Sequence, residues 1–244
     1  MLKSVDLLKR MRYIENRNLE VNAAMKKCMK LLTGFALMIG VLFSMTVYGS
    51  TESETEEKQS DSDILVVYFS RTGEQYNVGE IDKGNTAIIA EMIADETGAD
   101  IFEILPEEDY YPYTYDELTD VAMQEQKENA RPAYAGEVPD LNRYTTVFIG
   151  SPVWWGDWPM IMYTFFEENA DALAGKTLIP FSTHEGSGLS GFDRSLASSC
   201  PDSTVGEGLA IRGSDAQNDQ DNVRSTVNDW ISELSGEEKK DDKE

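Results

Sequence analysis

Cysteine and histidine are almost absent from this chain. Among 244 residues there are two Cys and one His. Cys28 falls in a basic-then-apolar stretch near the N-terminus, so Cys200 would be the only thiol left in a chain trimmed there. A lone thiol allows no internal disulfide. Nothing near Cys200 in sequence would activate it, so it reads as a small structural residue rather than a nucleophile. With one histidine and no cysteine cluster, a histidine-rich or cysteine-rich metal centre is disfavoured, and no metal is expected. Cationic residues are also scarce: 21 Lys and Arg stand against 45 Asp and Glu, a formal net charge of -24. Nucleic acid is therefore disfavoured as a partner, because a phosphate backbone needs cations that release its counterions. The acidic surface would instead steer basic partners, or serve only solubility.

What is present begins with a leader. Met25–Lys26–Lys27–Cys28–Met29–Lys30 precedes an apolar run from Leu31 to Tyr48. A basic region followed by an apolar one reads as a secretory signal over 25–49, with Val47 and Gly49 as the small residues of a cleavage site. The run is close to the shortest that spans a bilayer, so membrane attachment through 31–48 is the alternative. Either way the chain is expected to be exported, released or anchored facing outside. Residues 1–24 form an N-terminal extension of uncertain role ahead of a plausible start at Met25. Residues 50–63 are a Ser/Thr/Glu-rich linker expected to lack order. Residues 64–234 carry the globular pattern, and 235–244 are a charged tail.

Within 64–234, short apolar runs alternate with amphipathic helical patterns. Strands are predicted at Ile64–Phe69, Asp100–Leu105, Thr145–Gly150, Leu178–Ser182 and Gly208–Ile211. Helices are predicted from Ala87, over Tyr115–Glu128, after Trp158 with Pro159 in the first turn, and around Val223, Val227, Trp230, Ile231 and Leu234. Five strands alternating with helices give an α/β, doubly wound, mostly parallel sheet. Ligands in such sheets bind outside the carboxyl ends of the strands. That places three loops together.

The first loop is Ser70–Arg71–Thr72–Gly73, resumed after an insertion at Gly84–Asn85–Thr86. Small hydroxyl residues and glycine between a strand and a helix suit an anion such as a phosphate monoester. The competing reading is a plain strand-to-helix turn with an N-cap at Asn85 or Thr86. No Gly-x-x-x-x-Gly-Lys-Ser/Thr sequence is present, which disfavours a nucleoside triphosphate loop. Arg71 reads as exposed. The second loop, Ser151–Pro159, holds Trp154, Trp155 and Trp158, three of the chain's four tryptophans. Trp154 or Trp155 would stack on a flat ring, with Gly156 letting backbone approach it; a tryptophan-rich core plug is the alternative. The third, Ser182–Gly191, has glycines suited to wrapping a ring edge. His184 within it is either a proton donor to a ligand or a hydrogen-bonded loop residue.

Together these motifs resemble the flavodoxin family, in a branch whose phosphate loop is split by an insertion, Glu74–Lys83. The resemblance covers roughly Ile64–Leu234. It implies a three-layer sandwich with a five-stranded parallel sheet in the order 2-1-3-4-5, and noncovalent flavin mononucleotide (FMN). By position, Ser70, Thr72, Asn85 and Thr86 would hold the phosphate. Pro152, Val153, Trp154, Trp155 and Gly156 would flank the flavin on one side, and Thr183, His184, Gly186, Ser187 and Gly188 on the other. The implied function is electron transfer with redox partner proteins, basic ones by charge. An FMN-dependent oxidoreductase taking electrons from a nicotinamide, and a flavin-free binding module on the same fold, are the alternatives.

Overall fold

The computed structural model describes residues 62–108 and 110–236. The readings of 1–61 and of most of the tail lie outside the described residues.

The sheet is built outward from β1 (Ile64–Phe69), an uninterrupted apolar run that is buried from Leu65 onward. Side chains alternate across the pleat. Leu65, Val67 and Phe69 enter one core, while Val66 and Tyr68 enter another on the opposite face. A strand buried on both faces belongs at the middle of a covered sheet. β1 pairs in parallel with β4 (Asp100–Pro106) on one side and β6 (Thr146–Pro152) on the other. β7 (Thr177–His184) follows in parallel, then β9 (Leu209–Arg212). Counted along the chain, these parallel strands stand in the order 2-1-3-4-5.

Three features go beyond a plain five-stranded sheet. The fifth strand is broken: β8 (Thr204–Val205) pairs with the start of β7 and β9 with its end. The gap faces Pro180. Gly206 N–H donates to the Leu178 carbonyl at 2.9 Å, so Pro180, two residues on, turns its nitrogen toward the same edge. That nitrogen has no hydrogen to donate, and the ladder is interrupted there. A second addition, β5 (Tyr134–Ala135), pairs antiparallel with the outer edge of β4. Third, the insertion in the first loop folds as an antiparallel hairpin of β2 (Gly73–Gln75) and β3 (Gly79–Ile81).

Helices cover both faces. α1 (Asn85–Thr97) and α6 (Gln220–Ser235) supply Ile89, Ile93, Val227 and Trp230 to the core under Val66. α3 (Met160–Leu173) and α4 (Phe192–Ser199) supply Ile161, Phe165, Phe166 and Leu196 to the other. This is the three-layer sandwich expected. α1 ends at Gly98 in the left-handed region (φ 68), whose N–H returns to the Ala94 carbonyl at 2.8 Å. α2 (Tyr115–Glu128) has the bounds its sequence suggests. Pro159 is the cap of α3 rather than part of its first turn. Cys200 is buried in the core that holds Leu65 and Phe165, and burial pushes its thiol up to about 11, as befits a structural residue.

Candidate functional site

Three loops leave the carboxyl ends of β1, β6 and β7 and are bonded to one another. In the first, Gly84 caps α1 with an ordinary backbone (φ -65) and no side chain of its own. The N-cap anticipated at Asn85 or Thr86 is supplied instead from across the insertion: Ser70 Oγ accepts from Ala87 N at 3.0 Å. A Cβ on residue 84 would lie 2.1 Å from that oxygen, so the two halves of the loop meet only through glycine. The first turn of α1 holds no acidic residue, so no carboxylate of its own offsets the positive end of its dipole. Thr86 and Thr183 are 1% and 3% exposed, and their hydroxyls lie 2.7 Å apart. Two hydroxyls carry two protons and use one between them, which leaves a donor over. Asn85 Oδ1 accepts from Gln217 Nε2 at 2.8 Å, tying the loop to the short α5 (Gly213–Asn218). Thr72 is half-buried, with its carbonyl accepting from Gln75 Nε2 at 3.4 Å.

Arg71 is not the exposed residue its sequence suggests. Its guanidinium donates to the Glu74 carbonyl at 2.8 Å and to the carbonyls of Pro112 and Tyr113. The hairpin adds further ties to the same segment. Glu74 N donates to the Tyr113 carbonyl at 3.1 Å, and Tyr115 N donates to Glu74 Oε2 at 2.9 Å. Tyr113 donates its hydroxyl to Glu80, and Tyr76 stacks on Tyr115 at 5.5 Å. The insertion therefore clamps the first loop to the start of α2. Sequence reading missed Arg71, Glu74 and Tyr113 in this role. The available signal was Gly-Glu-Gln and Gly-Glu-Ile flanking a turn with Asn77 at φ 58.

The second loop is a two-residue turn. Trp154 N donates to the Asp157 carbonyl at 2.9 Å, and Asp157 N to that of Trp154 at 3.0 Å. Trp155 (φ 51) and Gly156 (φ 80) take the positive angles of a type I′ turn. A tryptophan there is strained and must be held. Its indole N–H donates to the Thr119 carbonyl at 2.9 Å, and Ser190 Oγ donates to the Gly156 carbonyl at 2.9 Å. The Asp157 carboxylate accepts from Trp158 N at 2.8 Å, Tyr163 hydroxyl at 2.9 Å and Ser195 Oγ at 3.4 Å. The three tryptophans divide. Trp158 is 1% exposed and stacked on Phe192 at 3.6 Å, the core plug of the alternative reading. Trp154 is half-buried, edge-on to Phe69 and Tyr111. Trp155 is 52% exposed. Pro152 lies opposite Thr183 in the sheet, and Val153 N donates to the Thr183 carbonyl at 3.0 Å.

In the third segment, Thr183 and His184 belong to the end of β7 rather than to a loop. Gly186 N donates to His184 Nδ1 at 2.8 Å, which places the proton of the neutral ring on Nε2. Burial first, and Arg212 next, pull the His184 pKa below its ordinary value, so the ring is neutral at pH 7. Glu185 accepts from Ser214 N at 2.6 Å and caps α5. Ser182 Oγ donates to the Gly188 carbonyl at 3.0 Å. Gly186 and Ser187 are exposed, and Gly186 (φ 127) and Gly188 (φ 63) hold backbone shapes that other residues rarely adopt.

The arrangement offers uncharged donors for an anion at one end and, beside them, an indole loop facing a glycine loop across β6 and β7. A family model described as Flavodoxin matches residues 63–232. Among solved structures, the fold is similar to that of a protein classed as a flavoprotein from Bacteroides eggerthii DSM 20697. Identity is 30%, the TM-score is 0.53, and the match covers 71% of this chain and 98% of that one. A counterpart from Bacteroides uniformis ATCC 8492 matches at 30% identity and a TM-score of 0.53, covering 70% and 97%. A flavoprotein in complex with FMN from Lactobacillus acidophilus NCFM shares the fold at 22% identity and a TM-score of 0.50, covering 65% and 97%. No curated protein matches this chain.

Proposed function

This chain belongs to the flavodoxin family, and we propose that it binds FMN where the three loops meet and serves as an electron-transfer protein. The observation that carries the reading is the joining of the loops: the buried Thr86–Thr183 hydroxyl pair links the phosphate-loop helix directly to the strand that leads into the glycine loop. The residues present fit the cofactor. A phosphate monoester matches the first turn of α1, Ser70, Thr72 and the spare hydroxyl proton of Thr86 and Thr183. Asn85 accepts from Gln217 through Oδ1, which fixes the loop, and its amide N–H groups are the donors it would offer the phosphate. Trp155 offers an open indole face, while Gly186, Ser187 and Gly188 offer backbone.

When bound, FMN supplies the electron chemistry. The protein's residues bind and orient. Asp157 holds the indole turn against α3 and α4, and Ser190 engages the Gly156 carbonyl. Neutral His184 keeps its Nε2–H available as a donor. Export is proposed on the basic and apolar character of 25–49, and a basic redox partner on the net charge of -24.

The test is FMN titration of the purified chain, followed by its visible spectrum after gel filtration. A co-eluting flavin spectrum with quenched tryptophan emission is expected; a colourless protein with unchanged emission overturns the reading. Addition of NADH or NADPH to the loaded protein separates the roles. A flavin band stable over minutes supports a carrier, whereas rapid bleaching with quinone turnover supports an oxidoreductase.

A further inference from the structure

The buried stripe of α2 is Leu118, Ala122 and Glu125, spaced four and three residues apart. A carboxyl therefore occupies a position that helical periodicity gives to an apolar side chain. Glu125 is 3% exposed. Tyr111 hydroxyl donates to Glu125 Oε2 at 3.4 Å, while Oε1 is buried without a partner. Tyr111 is in turn part of the tryptophan wall. Its ring lies 5.0 Å from Trp154 and 5.5 Å from Phe69, both edge-on. One side chain thus separates the orphaned carboxyl oxygen from the indole loop.

The groups around Glu125 leave its charge uncompensated. The Tyr110–Tyr111 turn presents two neutral hydroxyls. On α2 itself, Glu128 adds negative charge near Tyr110, and Lys127 is exposed in the last turn. Beyond α2, Arg131 pairs with Glu167 of α3 and donates to Asn129 and Ala130. On the indole loop, Asp157 is bonded to Tyr163. A buried carboxylate without a cation is costly, so the neutral acid is favoured. Burial pushes the Glu125 carboxyl up to about 7, against the opposing hydrogen bonds from Tyr110 and Tyr111.

We propose that Glu125 is a proton-controlled positioning residue for the flavin wall. As the neutral acid it stays packed beneath Tyr111 and fixes that ring against Trp154. On releasing its proton to solvent it turns toward water, and the Tyr111–Trp154–Phe69 cluster loosens. The consequence for flavin rests on the FMN reading above; the proton switch does not.

The sign follows from linkage. The fold raises the carboxyl's pKa above its ordinary value, so the stability due to the neutral form is fully present below about pH 4.5 and is lost as pH rises through about 7. Tryptophan emission of the full chain without added FMN tests the switch between about pH 5.5 and 8.5. The wild-type protein should show a transition centred near pH 7 that Glu125→Gln abolishes. Tyr111→Phe should keep the transition and raise its midpoint, because it removes a donor to the charged form. With FMN, the dissociation constant of the wild type should weaken about fivefold or more across this range, a change absent from Glu125→Gln. By reciprocity, bound FMN should move the emission midpoint upward. A transition without FMN uptake at any pH supports the switch and removes the cofactor reading. Emission that is flat with pH in the wild type, or a transition unchanged in Glu125→Gln, overturns the proposal.

Discussion

Ser70 and Gly84 show how much of the site depends on single atoms. The hydroxyl of Ser70 caps α1 in place of a local N-cap, and it can do so only because residue 84 has no Cβ. Gly84→Ala should therefore cost about 1–2 kcal/mol in urea unfolding, the scale of a lost N-cap, and weaken FMN binding by about tenfold or more in the same titration. Wild-type stability and affinity in this variant would show that the cap is dispensable. The hydroxyl residues themselves were legible as a cluster in sequence. Their orientations were not. Asn85 is claimed by Gln217, 132 positions away, and Thr86 by Thr183, 97 away. The tryptophans behave alike: a run of three indoles announced a special loop, but only packing separates the stacked Trp158 from the open Trp155.

At the scale of elements, the hairpin is the part that local pattern did not reveal. β2 and β3 are three residues each, too short for a period-2 signal to stand out. Their contribution is long-range: Glu74 N donates to the Tyr113 carbonyl, and the Glu74 and Glu80 carboxylates accept from Tyr115 N and the Tyr113 hydroxyl in the segment leading into α2. Replacing Glu74–Asp82 by a short glycine linker should leave the sheet intact by far-UV circular dichroism. Hydrogen exchange at Tyr113–Tyr115 should accelerate, since the bonds to Glu74 and Glu80 and the Tyr76 stack are removed with the hairpin. Unchanged protection in that segment would contradict the clamp. By contrast, α2 was legible to its ends because its pattern is long and its termini are marked. The break between β8 and β9 lay in plain sight as Pro180, but the consequence depends on which sheet edge the proline nitrogen faces, and that is a matter of register.

For the molecule as a whole, charge and topology act at different ranges. A net charge of -24 cannot choose a fold, but it sets long-range attraction. Electron transfer from the FMN-loaded protein to a basic acceptor such as cytochrome c should slow markedly as ionic strength rises from about 10 to about 150 mM, where screening shortens from about 30 to about 8 Å. A rate indifferent to salt would remove the basic-partner proposal. The alternation of strands and helices and the identity of the three loops were determined by the sequence alone, because periodicity and turn residues are written in neighbouring positions; the strand order followed only from the resemblance to flavodoxin, and the sheet itself bears it out. The tertiary structure decided which hydroxyls pair, that the insertion is a clamp, and that Glu125 is buried without a cation. Each of those depends on groups far apart in the chain, brought together only when both faces of the sheet are covered.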